Sequence, residues 1–115
     1  GLLPCIMVLL SLLALCLFIV LLVMDPGTVT MKDAVEAQEE AVSWEWCERC
    51  RLLKPPSARH CCFCGVCVRG QHHHCVVMGQ CVGEDNKNVL ISIVVILLVL
   101  QLLNISLGMP PLHTV

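Results

Sequence analysis

Charged side chains are scarce in this sequence and are missing altogether from both of its ends. Only 14% of the 115 residues are charged, whereas 57% are hydrophobic. Residues 1–24 and 89–115 contain no Asp, Glu, Lys or Arg. So little charge excludes an ordinary soluble domain, in which about a quarter of the residues are charged. An excess of positive charge is lacking too, because the net charge is -2, and we therefore expect no nucleic-acid partner.

Both uncharged ends are long enough to cross a lipid bilayer. About 20 apolar residues in a helix span the hydrocarbon core, and the polar remainder is too small to bury two such helices. We therefore predict transmembrane helices over residues 1–24 and 89–109. The first segment lacks the charged start and the small-residue cleavage site of a secretory signal peptide, which is the alternative for that end. Since the chain does not begin with Met, we expect a fragment of a longer protein.

The basic residues all lie between the two predicted spans. Because basic loops stay on the cytoplasmic side, we expect the loop to be cytosolic and both termini to be lumenal or extracellular. Residues 25–46 are expected to form a cytosolic linker. Within it, residues 31–43 have the spacing of a short amphipathic helix, and a solvated linker is the alternative.

Cysteine and histidine are concentrated in the second half of this loop. They are Cys47, Cys50, His60, Cys61, Cys62, Cys64, Cys67, His72, His73, His74, Cys75 and Cys81. Zinc takes four tetrahedral thiolate or imidazole ligands, commonly in closely spaced pairs. A lumenal loop could instead form disulfides, but histidines in step with the cysteines favour zinc. Six cysteines and two histidines make two Cys3His sites, and we expect short β hairpins held together by metal because the apolar core is small.

Spacing alone does not decide which ligands share a zinc ion. Cys47 pairs with Cys50, but the second cluster offers three possible cysteine ligands, Cys61, Cys64 and Cys67, so the second pair is open. The two similar cysteine clusters are the only internal repeat that we detect in the sequence.

One cysteine is left over beside a spare histidine. An imidazole can take the proton of a nearby thiol and make it nucleophilic, and His73 lies two residues before Cys75. The alternative is that Cys75 is a spare buried thiol. Cys62 has no such neighbour and is interpreted as spare. A reactive thiol 14 residues before the second span, at Val89, is well placed to meet the thioester of a long acyl chain.

These motifs resemble those of the DHHC protein S-acyltransferases, or palmitoyltransferases. The matching residues are Asp25-Pro26-Gly27, Cys47, Cys50, Lys54-Pro55-Pro56, His60-Cys61, Cys64, Cys67, His72-His73-His74-Cys75, Cys81-Val82-Gly83 and Asn86. The resemblance implies a zinc-binding cysteine-rich domain over residues 47–86. It implies one structural zinc ion held by Cys47, Cys50, His60 and Cys67, and another held by Cys61, Cys64, His74 and Cys81.

The resemblance also implies a two-step reaction. Cys75 would be acylated by acyl-CoA with His73 as its base, and the acyl group would then pass to a substrate protein with a membrane-proximal cysteine. The two spans would be the second and third of a usual four. The implied location is the endoplasmic reticulum, the Golgi or the plasma membrane.

The sequence departs from the family at the motif that carries the chemistry. His72 replaces the family's Asp, Val76-Val77 replaces Pro-Trp, and Gln80 replaces an Asn. A carboxylate orients the imidazole and stabilises its charged form, and a neutral histidine cannot do the second. Two functions therefore stay open: an S-acyltransferase, and a zinc-binding membrane adaptor that is a pseudoenzyme. A zinc module that only binds proteins is a third, weaker interpretation. The fold expected for all three is membrane α-helical, with two spans flanking the zinc-stapled hairpins.

Overall fold

The structure, a computed structural model, describes residues 1–40 and 43–108. The chain divides into two compact units. Of the described residues, one unit contains Gly1–Leu21 and residues 88–108, and the other contains Leu22–Lys87. The last residue of the predicted second span, Met109, lies outside the described residues.

Two long apolar helices flank the polar part of the chain. Helix α1 covers Leu2–Val23 and helix α3 covers Lys87–Ser106, with mean hydropathies of 3.3 and 2.7. Their most apolar windows are only 11% and 6% buried, whereas the core helix of a soluble protein hides most of its side chains. By length and composition, both are candidate membrane spans.

The apolar unit contains a groove of about 340 Å³. Its walls are apolar except for one hydroxyl group, and its lining residues are Ser11, Ala14, Leu15, Phe18, Ile93, Leu97 and Leu100. Ser11 donates its hydroxyl proton to the Met7 carbonyl within α1, so that hydroxyl group is already satisfied by the helix.

The polar unit begins with a tight turn and a short helix. The Asp25 carboxylate accepts hydrogen bonds from the backbone N–H groups of Gly27 and Thr28, and from the Thr28 hydroxyl at 2.7 Å. Helix α2 covers Met31–Glu40, which confirms the short helix for the described part of residues 31–43. It begins with a capping box, in which the Thr30 N–H donates to Asp33 and the Asp33 N–H donates back to the Thr30 hydroxyl.

Six short strands then form three antiparallel hairpins, as the sequence predicts. Strand β1 (Glu45–Cys47) pairs with β2 (Leu52–Lys54), β3 (Arg59–Cys61) with β4 (Val66–Val68), and β5 (His73–Cys75) with β6 (Gln80–Val82). The segment after the Asp25 turn joins the second hairpin. Thr28 makes a β-bridge with Val68, and the Val29 N–H donates to the Cys67 carbonyl at 2.9 Å.

The three hairpins repeat the same local structure every 14 residues. Each first strand ends at a cysteine, at positions 47, 61 and 75. In each turn the carbonyl of that cysteine accepts the N–H four residues on, at 2.8, 2.8 and 2.9 Å. The donor residue has a positive φ in all three: 54° at Arg51, 71° at Gly65 and 67° at Gly79. The sequence-based conclusion that only two clusters repeat was wrong, because the third hairpin keeps the backbone but not the second turn cysteine.

Candidate functional site

Strand alternation separates neighbouring ligand-type residues onto opposite faces. Successive side chains of a strand point to opposite sides. His60 and Cys61 are adjacent in β3, yet His60 faces the sulfurs of the first hairpin while Cys61 faces those of the second and third. In β5 the same alternation puts His74 on one face, and His73 and Cys75 on the other.

The first cluster joins the first and second hairpins. Its members are Cys47, Cys50, His60 and Cys67, whose ligand atoms all lie within 4.8 Å of one another. Two come from the turn of the first hairpin. The other two, His60 and Cys67, are directly opposed across β3 and β4. The His60 Nδ1 atom lies 3.6, 3.2 and 3.7 Å from the sulfurs of Cys47, Cys50 and Cys67.

The second cluster joins the second and third hairpins in the same way. Its members are Cys61, Cys64, His74 and Cys81. Cys61 and Cys64 come from the second turn, and His74 opposes Cys81 across β5 and β6. The His74 Nδ1 atom lies 3.4, 3.4 and 3.7 Å from the sulfurs of Cys61, Cys64 and Cys81.

Both clusters have the dimensions of a tetrahedral zinc site. With Zn–S bonds of about 2.3 Å, two thiolates on a tetrahedron lie about 3.8 Å apart. The Cys50–Cys67 and Cys64–Cys81 sulfur pairs are 3.6 and 3.7 Å apart. All of these cysteines are free thiols. Two groups of three thiols and one imidazole could therefore each hold a metal ion, and the donor set suits zinc.

The thiols in each cluster perturb one another's ionisation. Burial raises the pKa of Cys67 and of Cys81 to about 12, and hydrogen bonds with the neighbouring thiols add to the rise. Burial opposes ionisation of Cys61 as well, but hydrogen bonds from the Cys64 N–H and the Cys81 thiol lower its pKa to about 7. Thiols so crowded cannot all ionise together unless a cation compensates them, and a metal ion would displace their protons.

Two side chains that the sequence did not single out support the second cluster. Gln71 donates from Nε2 to the Cys81 sulfur at 3.2 Å. The Phe63 ring stacks on the His74 ring, with their centroids 4.9 Å apart. Hydrogen bonds to ligand atoms and packing around ligand rings orient a metal site. A lone Gln and a lone Phe in a loop carry no spacing signal that would reveal this.

A network around Arg69 attaches the Asp25 turn to the hairpins. The guanidinium contacts the carboxylates of Asp33 at 3.2 Å, Glu84 at 3.6 Å and Asp85 at 2.9 Å. The Arg69 N–H donates to the Gly27 carbonyl at 2.8 Å. Arg69 follows β4 directly, so these contacts tie the Asp25 turn and α2 to the strand that carries Cys67.

A buried asparagine holds together the backbone that follows the last cysteine of the second cluster. Asn86 is fully buried; its amide donates to the Cys81 carbonyl at 3.0 Å, and its oxygen accepts the Gly83 N–H at 2.7 Å. Gly83 lies against the Pro26 and Arg69 carbonyls and the Val68 side chain, where there is no room for a Cβ atom. The family motif residues Gly83 and Asn86 thus hold the strand that carries Cys81.

The three residues predicted to be catalytic are brought together only in part. His72 and His73 are exposed, and their Nδ1 atoms form a hydrogen bond of 2.7 Å. Cys75 is half-buried and shares the β5 face of His73. Within the described chain, no hydrogen bond joins the Cys75 sulfur to His73. Cys62 is exposed and its sulfur accepts a hydrogen bond from Arg49 at 3.4 Å.

Taken together, two candidate membrane helices flank a module of hairpins with two Cys3His groups that could each hold a metal ion. The DHHC palmitoyltransferase family model matches residues 40–113. Palmitoyltransferase ZDHHC23 of mouse is 39% identical over 85 residues, which cover 68% of this chain and 20% of that protein. Palmitoyltransferase ERF2 of Kluyveromyces lactis is 41% identical over 46 residues, covering 40% of this chain and 13% of that protein.

The chain therefore belongs to the DHHC palmitoyltransferase family. Palmitoyltransferase ZDHHC7 of mouse is a further relative, 35% identical over 69 residues that cover 55% of this chain and 22% of that protein. The chain spans only 13% to 22% of the length of these curated relatives.

Proposed function

We propose that the chain is the catalytic module of a protein S-acyltransferase that transfers a long-chain acyl group, such as palmitoyl, from acyl-CoA to cysteines of substrate proteins. The observation that carries the proposal is the arrangement of the third hairpin. It presents Cys75 and His73 on one strand face, while the neighbouring His74 faces the second cluster. We assign Cys75 as the nucleophile, His73 as its base and His72 as the residue that orients His73.

In the first step, the Cys75 sulfur attacks the thioester carbonyl of acyl-CoA. A new bond joins that sulfur to the acyl carbon, the bond to the CoA sulfur breaks, and His73 passes the Cys75 proton to the departing CoA thiolate. In the second step, His73 takes the proton of a substrate protein's thiol, the substrate sulfur bonds to the acyl carbon, the bond from that carbon to the Cys75 sulfur breaks, and His73 returns the proton to Cys75. We assign to His73 the tautomer that donates its Nδ1 proton to Nδ1 of His72, which leaves Nε2 as the nitrogen that takes the Cys75 proton.

Zinc in both clusters would act structurally. The first cluster would be one zinc site and the second cluster another, with four protein ligands each and no open position for a substrate. Zinc would supply cohesion to hairpins that bury very little apolar surface. His74 and Cys81 belong to the second cluster, so a zinc ion bound there would fix the two strands on either side of the Cys75 turn.

The membrane setting supports a lipid substrate. We propose that residues 1–24 and 89–109 span the bilayer, that residues 25–46 form a cytosolic connection, and that residues 47–86 form the cytosolic zinc domain. The apolar groove between α1 and α3 suits a hydrocarbon chain. Acyl-CoA, the bilayer and proteins with membrane-proximal cysteines are then the partners, in the endoplasmic reticulum, the Golgi or the plasma membrane.

One observation favours a second candidate, a zinc-bound adaptor without catalysis. The partner of His73 is a histidine and not a carboxylate. A neutral imidazole orients its neighbour but does not stabilise positive charge on it.

The test is autoacylation of the chain in bilayers that contain zinc and a labelled long-chain acyl-CoA. Wild type is compared with Cys75→Ser, and with Cys62→Ser as the matched control because Cys62 is an exposed cysteine near the clusters that belongs to neither of them. We expect a hydroxylamine-sensitive label that disappears in Cys75→Ser and persists in Cys62→Ser. Two bound zinc ions without any label on Cys75 would reject the acyltransferase and leave the adaptor.

A further inference from the structure

The first hairpin differs from the other two at the residue pair that is opposed across its strands. In the second and third hairpins this pair is a His and a Cys, and it completes a cluster with the turn of the preceding hairpin. In the first hairpin the pair is Trp46 and Leu53, and the element that precedes it is helix α2. A groove of about 230 Å³, termed the α2 groove, lies between α2 and this hairpin.

The walls of the α2 groove are largely apolar and open to solvent. Met31, Ala34 and Val35 line it from α2, and Trp46 and Leu53 line it from the hairpin. Met31 is 66% exposed, and Val35 and Trp46 are each 54% exposed. Scattered apolar side chains are normal on a surface, whereas several that line one concave site are typical of a binding surface.

Arg51 is the one charged residue among those that line the α2 groove. It has a positive φ of 54°, whereas the matching turn positions of the other hairpins are Gly65 and Gly79. A side chain is disfavoured in this conformation, so glycine would serve the turn better. Within the described chain, no salt bridge or hydrogen bond involves the Arg51 guanidinium. A strained turn position thus carries an uncompensated positive charge beside an apolar groove.

We propose that the α2 groove binds an extended segment of the substrate protein in which one carboxylate is flanked by apolar side chains. The apolar side chains pack against Val35 and Trp46, and the carboxylate accepts hydrogen bonds from the Arg51 guanidinium, whose planar set of donors suits it. That the segment belongs to a substrate rests on the proposed function. The groove and Cys75 are parts of the same unit, so docking would raise the effective concentration of the acceptor cysteine.

The charge of the polar unit favours this ligand over an anionic bilayer surface. All nine acidic and all seven basic residues of the chain lie between residues 25 and 88, and the net charge is -2. Anionic headgroups are recognised by clusters of about four to eight basic residues, whereas one arginine lines the groove. The same net charge would repel a run of acidic residues, so the partner that fits carries a single carboxylate.

The test uses the zinc-loaded chain in discs of neutral lipid and a fluorescein-labelled peptide, Gly-Ser-Leu-Val-Glu-Val-Leu-Ser-Gly. Binding is followed by fluorescence anisotropy, with the signal of empty discs subtracted. Two further peptides carry Gln or Lys in place of Glu. We expect the Glu peptide to bind about fivefold more tightly than the Gln peptide, and the Lys peptide to bind most weakly.

Three variants assign this preference to Arg51. Arg51→Gly removes the guanidinium and relaxes the turn, so it should abolish the preference for Glu while raising the urea midpoint of the polar unit. Arg49→Ala is the matched control: it removes the same charge from the same turn, but Arg49 contacts Cys62 and does not line the groove. It should keep the preference. Arg51→Glu should reverse it, so that the Lys peptide binds best.

Several results would overturn the proposal. They are equal affinities of the Glu and Gln peptides for wild type, a preference that survives in Arg51→Gly, and an equal loss in Arg49→Ala. A lower urea midpoint in Arg51→Gly would show that the arginine serves the turn. Weak, equal peptide binding, with an Arg51-dependent change in tryptophan fluorescence when the discs contain anionic lipid, would assign the groove to lipid.

The acyltransferase is judged separately, by the label on wild-type Cys75. A chain that binds the Glu peptide through Arg51 but does not autoacylate would retain the docking groove and refute the proposed enzyme. A chain that autoacylates but shows no Arg51-dependent preference among the peptides would retain the enzyme and refute the docking groove.

Discussion

Replacing Gly83 by alanine should destabilise the polar unit with the two clusters, Leu22–Lys87 and termed the metal-binding unit, more than any other single methyl group added to a turn. An ideal Cβ atom at this position would collide with the Pro26 carbonyl oxygen, and would lie 2.5 Å from Val68 Cγ1 and 3.0 Å from the Arg69 carbonyl oxygen. Ordinary carbon contacts are about 3.5–4.0 Å, so the surroundings must move by about 1 Å.

Neither neighbour can move freely. Val68 is fully buried and packs with Cys61 and Cys81 of the second cluster. The Pro26 carbonyl accepts the Asp85 N–H at 3.1 Å. Overpacking of a filled core costs about 1–3 kcal/mol, and we expect Gly83→Ala to fall at the upper end, about 3 kcal/mol, because two backbone hydrogen bonds are strained with it.

The assay is urea unfolding of the zinc-loaded chain in micelles, followed by tryptophan fluorescence and by zinc release. Both tryptophans, Trp44 and Trp46, lie in the metal-binding unit, so the fluorescence reports on that unit alone. Gly65→Ala is the matched control. Its Cβ atom would meet nothing within 4 Å, so only its positive φ of 71° is penalised, by about 1 kcal/mol. Equal losses in the two variants, or a loss below about 0.5 kcal/mol in Gly83→Ala, would refute the steric reasoning.

Three further predictions concern the site and its support. His72→Asp should raise autoacylation at least about tenfold, since a carboxylate stabilises the charged imidazole of its neighbour; an unchanged rate in the labelled acyl-CoA assay would show that His72 is not limiting. Cys81→Ser should lower bound zinc from two ions to about one, measured by elemental analysis against Cys62→Ser, and unchanged metal would remove Cys81 from the ligands. Asp33→Ala should cost about 1 kcal/mol through its capping box. The Thr30 N–H bond lowers the pKa of Asp33 below 3.8, so this contribution is complete at neutral pH and is lost only as the pH falls through the folded pKa. The deficit in urea unfolding should thus stay constant between about pH 5 and pH 8, and a deficit that grows toward pH 8 would contradict the assignment.

Much of the architecture could be predicted because it rests on local signals. An uncharged apolar stretch of about 20 residues is long enough to cross the hydrocarbon core of a bilayer as a helix, so it can be recognised from the sequence. Both apolar helices begin within one or two residues of their predicted starts. Hairpins could be predicted at the closely spaced cysteine pairs, because metal binding can supply the folding free energy that a large hydrophobic core would otherwise supply. Other features gave weaker signals. The third hairpin keeps its turn through Gly79 and a backbone hydrogen bond, so a search for cysteine pairs passes over it.

The support of the site could not be predicted, since it depends on contacts between distant segments. Arg69 meets Asp33 across 36 positions of sequence, and Gln71 reaches the Cys81 sulfur from outside any motif. Polar side chains in loops are usually solvated, and nothing in their spacing distinguishes those that make such contacts.

The sequence by itself determined the two apolar helices, the number of ligand-type residues and the surplus cysteine, because hydropathy and side-chain chemistry are properties of composition and spacing. Spacing left open how the eight ligand-type residues divide; the family resemblance implied a division, and only the tertiary structure gives its physical reason. Adjacent His60 and Cys61 join different clusters because successive residues of a strand face opposite ways. The same alternation places Cys75 and His73 on one face of β5 and His74 on the other.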